Sequence, residues 1–159
     1  MPRAGKVPKR NVQPDVLYGS RLISKLINRV MKDGEKSVAQ KQIYKALEII
    51  KQKSGDDPLQ LTTKAIENIK PQMEVRPRRI GGAAYQVPQQ VRGDRKESLA
   101  IRWLVLAAKA RPPKEYHSFA EKLAAELLDA ASEQGAAIKK KLDMHRMAEA
   151  NKAFSHFRW

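Results

Sequence analysis

Arg76, Arg78 and Arg79 stand just ahead of Gly81-Gly82 and Tyr85. A guanidinium holds a phosphate through two parallel hydrogen bonds and also lies flat on an aromatic ring. Paired glycines let a backbone come close to whatever it touches, and a tyrosine offers a flat face for stacking. A second pattern is a row of cations, Arg21, Lys25, Arg29 and Lys32, at spacings of four, four and three, with no acid between them. Solvated helix faces tend to mix the two signs at such spacings, so an unmixed row points to phosphate contact. Weaker patterns add to these two. Arg95, Arg102 and Lys109 recur every seven residues, Lys139, Lys140 and Lys141 form a run, and Lys36, Arg92, Arg111 and Lys114 flank helical stretches. Phosphate contacts act collectively, so weak members of such a set still count.

No residue pattern supports catalysis. The chain has no cysteine, which removes thiol chemistry and disulfides and fits a reducing compartment. His117, His145 and His156 show no metal-ligand spacing such as two histidines one helical turn apart. Gly34-Glu35-Lys36-Ser37 lacks the adjacent Gly-Lys pair and upstream glycine of a phosphate loop. No paired carboxylates sit in an apolar setting that would tune one of them for proton transfer. The expectation is therefore no catalytic residue, no metal and no cofactor. Charge remains: 32 Lys and Arg stand against 17 Asp and Glu, a formal net charge of +15 in 159 residues. A compact chain with that imbalance repels itself, and a polyanionic partner relieves the repulsion. No stretch approaches the roughly 18 to 20 apolar residues of a membrane span, and no signal peptide opens the chain. The expected partner is nucleic acid rather than a membrane.

These groups must be positioned by an all-α domain with one ribbon. Residues 1–14 hold Arg3, Lys6, Lys9 and Arg10 with three prolines and no acid, which predicts an extended tail, and residues 15–159 the domain proper. Leu22, Ile23, Leu26, Ile27 and Val30 predict a first helix that Asp33-Gly34 ends. Val38, Ile43, Ala46, Leu47 and Ile50 predict a second, and Asp57-Pro58 caps a third that carries Leu61, Ala65 and Ile69. The period then changes. Met73 to Ile80 and Ala84 to Val91 around the glycine pair predict a β-hairpin arm over 72–91, which Pro77 and Pro88 keep out of any larger sheet. A free ribbon of that length projects its tip by roughly 25 to 30 Å. Asp94 and Glu97 predict a capping box for a fourth helix with Leu99, Trp103, Leu106 and Ala107 inward. Ser118 and Glu121 predict another box before Leu123, Ala124, Leu127, Leu128 and Ala131, and a sixth helix follows from about Gly135 to Phe154. Residues 115–133 hold five acids against Lys122 alone, which predicts one side free of polyanion.

The ribbon sequence Arg78-Arg79-Ile80-Gly81-Gly82-Ala83-Ala84-Tyr85-Gln86-Val87-Pro88 closely resembles the hairpin of the protein-seven family of the small ribosomal subunit. The similarity covers nearly the whole chain, including Pro14-Asp15, Met31-Lys32-Asp33-Gly34, Leu99 to Leu104 and Met147 to Phe154, in the bacterial pattern. Glu35 departs from it, standing where that family carries a basic residue. The resemblance implies a six-helix domain with a ribbon arm that binds the 3′ major domain of small-subunit ribosomal RNA and nucleates assembly of the subunit head. It also implies a cytoplasmic, or organellar, ribosomal location and neighbouring small-subunit proteins nine and eleven. No obligate homo-oligomer is expected. The ribbon and last helix would then lie near transfer RNA at the exit site, with Arg79, Gly81, Gly82, Tyr85 and Arg146 nearest. From the residues alone, a DNA-bending architectural protein is the competing reading, since those also join helices to basic, proline-bearing ribbons. It is disfavoured by the lack of an apolar wedge at the tip. An RNA-modifying enzyme would need a cofactor loop that is absent.

Overall fold

The computed structural model describes residues 11–157, so Arg3, Lys6, Lys9 and Arg10 lie outside the described residues. Six α-helices and one two-stranded sheet follow in the order α1 (Arg21–Val30), α2 (Lys36–Ser54), α3 (Pro58–Ile69), β1 (Met73–Ile80), β2 (Ala83–Gln90), α4 (Gly93–Ala110), α5 (Phe119–Ala131) and α6 (Ala136–Ala150). A 3-10 helix, Lys152–Phe157, is the last element among the described residues. The expected class, a helical single domain with a hairpin between its third and fourth helices, is what forms.

The core gathers around α5. Leu123, Ala124, Leu127 and Ala130 are fully buried, and this helix lies against α2, α3 and α4. Its alanines let the neighbours come close, while Ile43, Leu47, Ile50, Ile66, Ile69 and Leu104 fill the space between them. Two caps act as expected. Asp57 accepts the Leu59 amide at 3.1 Å with Pro58 behind it, and Ser118 Oγ accepts the Glu121 amide at 3.3 Å. The Glu121 carboxylate answers by accepting the Ser118 hydroxyl and the His117 amide, which holds its pKa below the usual value.

Several expectations need correction. The capping box at Asp94 does not form: α4 begins at Gly93 with Arg92 as its N-cap, and Glu97 reaches across to Lys25 Nζ at 2.9 Å. An ion pair with another helix has taken the carboxylate that local spacing assigned to the helix end. Val38 and Leu106 face solvent at 49% and 55% exposure. Ala39 turns inward on α2 in place of Val38, and the buried arc of α4 runs through Trp103, Leu104, Val105, Ala107 and Ala108. The first helix ends at Val30, before Asp33-Gly34, so Lys32 falls in the turn rather than on the helical row. The sixth helix ends at Ala150 and tightens into 3-10 geometry.

The ribbon is not free-standing. Its turn, Gly81-Gly82 with φ of 57° and 89°, has the two left-handed residues a tight hairpin needs. Its body, however, rests on α6 and the 3-10 helix. At its root the Gln72 amide donates to His145 Nε2 at 3.0 Å, which requires that nitrogen to be unprotonated. Burial, helped by the nearby Lys141 ammonium, holds His145 below the usual imidazole value of 6.5. As pH falls, the unfolded chain therefore takes up the proton first, so this stabilisation is intact above about 6.5 and is lost progressively below it. Amide exchange at Gln72, corrected for its intrinsic rate, is expected to accelerate as pH drops from 7.5 to 5. In His145→Gln that extra acceleration should vanish.

Candidate nucleic-acid interface

Arg21, Lys25 and Arg29 project from α1 into an open groove of about 590 Å³, whose other wall is Asp94, Ser98 and Ile101 of α4. Asn28 sits among the cations, and Asn11 and Val12 run along the groove, so the chain leaves it in the direction of the N-terminal segment. Arg21 and Arg29 are exposed. Lys25 is half-buried and shared with Glu97, so the row contains an acid that its own helix never showed. Arg102 is exposed one turn beyond Ser98 on α4, with Arg92 exposed at the start of that helix and Lys109 exposed in its last turn. Lys36 opens α2, exposed, and Lys32 lies within 4.0 Å of Asp33.

How the chain enters this groove depends on Asp15. Its carboxylate is buried and accepts the Leu17 and Tyr18 amides at 3.2 Å each and the Tyr44 hydroxyl at 2.8 Å. Burial and the bond to Asp15 push the Tyr44 hydroxyl up to about 12, so it stays a donor throughout the physiological range.

The ribbon has two unlike faces. Register pairs Glu74 with Gln89, Arg76 with Val87 and Arg78 with Tyr85, so these residues share the face turned to the body. There Glu74, only 5% exposed, accepts from Arg76 Nε at 2.6 Å and Arg95 Nε at 2.7 Å. Arg79 pairs with Ala84 on the open face and is exposed, as are Gly81, Gly82 and Gln86. Tyr85 is half-buried, 5.2 Å from the Phe154 ring and 5.6 Å from that of Phe157. Its ring is thus engaged with both phenylalanines, tilted against each.

Two further candidates are engaged internally. Arg111 donates to Glu126 at 2.8 Å and pairs with Asp129, and it lies over the Tyr116 ring at 5.4 Å. Burial acts to lower the Arg111 pKa, but its hydrogen bonds to Asp129 and Glu126 outweigh it and raise the value further. Glu126, 1% exposed, also accepts the Ala137 amide at 2.9 Å. The acidic stretch 115–133 therefore spends Glu126, Asp129 and Glu121 on internal bonds, and it is a weaker negative face than its composition suggests. Lys141 donates to the Asn68 carbonyl at 2.7 Å, whereas Lys139, Lys140, Lys114 and Arg146 are exposed. Sequence reasoning passed over Asn28 and Ser98, which line the groove, and the exposed Lys41 and Lys45 of α2. Spacing alone marks Ser98, one turn before Arg102 on the same helix side. Among the described residues no cluster of His, Asp and Glu could hold a metal ion, and no helix is long and apolar enough to cross a membrane.

The fold and this surface define a class: a small helical domain with a basic groove and a seated ribbon arm. The particular family follows from comparison. The ribosomal protein S7p/S5e family matches residues 2–152, so the chain belongs to that family of structural, non-enzymatic ribosomal proteins. Relatives named "Small ribosomal subunit protein uS7" are 57% identical in Carboxydothermus hydrogenoformans, 56% in Solidesulfovibrio magneticus and 57% in Caldanaerobacter subterraneus, each over the full length of both chains.

The division between free and engaged arginines has a direct check. Arg111→Ala leaves Glu126 buried without its cation and is expected to lower stability by on the order of 3 kcal/mol. Arg29→Ala should leave the denaturation midpoint unchanged. Urea titrations of the two variants read the difference, and equal midpoints would contradict the internal role of Arg111.

Proposed function

We propose that the chain is a component of the small ribosomal subunit that binds ribosomal RNA of its 3′ major domain directly and nucleates assembly of the head. The single observation that carries this reading is the groove between α1 and α4, where Arg21 and Arg29 stand exposed inside a family of ribosomal proteins. The groove cations, with Arg102, Lys36, Arg92, Lys109, Lys139, Lys140 and the cations of residues 1–10, neutralise phosphates on adjoining RNA helices. The helical core keeps these groups at set separations, so they select RNA by shape rather than by base sequence. The ribbon reaches a second RNA, the transfer RNA at the exit site, through Arg79 and the glycine tip on its open face, with Arg146 of α6 nearby. Small-subunit proteins nine and eleven are the proposed protein neighbours, and the cytoplasm, or an organelle, is the proposed compartment.

Arg21→Ala with Arg29→Ala is expected to weaken binding of a 3′-domain ribosomal RNA fragment and to reduce the salt slope of log affinity by about 2, with helix content intact. Loss of fold in that variant would make the groove cations structural. A competition at raised salt between this fragment and duplex DNA of equal phosphate number separates RNA from DNA architecture, and equal retention of both would defeat the ribosomal assignment. Deleting residues 76–87 should spare the primary RNA while disturbing exit-site transfer RNA.

A further inference from the structure

The 3-10 helix Lys152–Phe157 has no part in the RNA contacts proposed above, yet it lies against β2. Phe154 and Phe157 stack 6.4 Å apart with their planes only 12° from parallel, and the Tyr85 ring meets both. The His156 ring lies 4.0 Å from that of Phe157, tilted by 46°. Tyr85 stands opposite Arg78, two residue pairs from the turn-closing pair Ile80 and Ala83. The aromatic contact therefore grips the ribbon near its tip, far from the root contacts of Gln72 with His145 and Glu74 with Arg95. A two-stranded ribbon held only at its root is marginal and free to swing. Held at both ends, it has one direction.

We propose that Phe154 and Phe157 are positioning residues for the ribbon: together they form an aromatic seat that receives Tyr85 and sets where Arg79 and the glycine tip point. The inference rests on the reading that the ribbon contacts a second RNA, but the seat itself is a property of the free protein. Seating Tyr85 turns the Arg78 face inward and leaves Arg79 outward, so the same contact decides which ribbon arginine is presented. Aromatic rings suit this task because two offset faces resist rotation as well as separation.

The absence of cysteine makes the test clean. Spin labels on Ala83→Cys at the tip and Lys53→Cys at the end of α2, in the full chain, report the tip-to-body distance distribution by pulsed electron resonance. The parent is expected to give one narrow distribution, and Phe154→Ala with Phe157→Ala a severalfold broader one with unchanged helix content. Tyr85→Leu should broaden it equally from the other side, and combining all three should add nothing. Restoring rings with Phe154→Tyr and Phe157→Tyr should narrow it again, whereas Leu at both positions should not. An unchanged distribution in the double Ala variant, or full rescue by Leu, would overturn the seat. In RNA assays the double Ala variant should keep its affinity for the 3′-domain fragment and lose about tenfold for transfer RNA. A broadened distribution with unaltered transfer-RNA affinity would uphold the seat and refute the ribbon's proposed RNA contact.

Discussion

Three carboxylates taken out of water hold joints of this molecule: one near residue 15, one at the ribbon root and one at the end of α4. A buried carboxylate is costly unless its lone pairs are met, and here each is met by two or more donors. Asp15 ties the start of the chain to α2 through Tyr44, Glu74 ties the ribbon root to α4 through Arg95, and Glu126 ties the end of α4 to the beginning of α6. The last joint is tight enough to restrict its neighbour. Gly135 has φ of 93°, and a Cβ there would lie 3.0 Å from the Glu126 carboxylate, so a side chain would be strained by conformation and crowded against that carboxylate.

An excess of positive charge makes this arrangement economical. In a chain with 32 cations an inward-facing acid readily finds a partner, and each such pairing removes an acid from the surface. The outcome is an exterior more one-signed than the total charge implies. Glu126 is buried in the Arg111 cluster with the half-exposed Asp129 paired beside it, and Glu74 absorbs part of Arg76 and Arg95. The groove of α1 and α4, the outer face of α6 and the open face of the ribbon keep their cations available.

Most of the architecture was legible in the chain because it is local. Apolar spacing marked the first five helices, Asp57-Pro58 and Ser118-Glu121 marked two starts, and paired glycines marked the hairpin. What escaped was decided between elements distant in sequence. Glu97 had the right spacing to cap α4 but found Lys25 of α1, and Arg111 was read as a phosphate contact whereas Glu126 and Asp129 engage it. Tyr85 was legible as a flat ring near the glycines, but nothing in the local pattern named Phe154 and Phe157 as its neighbours. Val38 and Leu106 misled for a related reason: an apolar residue at the edge of a buried arc is assigned by period, whereas the width of the arc is set by the neighbouring helices.

The bond from Gln72 to His145, and that from Lys141 to Asn68, join positions 73 residues apart. During synthesis from the N-terminus the hairpin is therefore complete well before anything exists for it to lie on. A growing chain carries an unsupported arm until α6 and the last turn leave the exit tunnel, and only then can the arm come to rest. Termination between α6 and Phe154 would thus leave the packed body in place with the arm held only at its root.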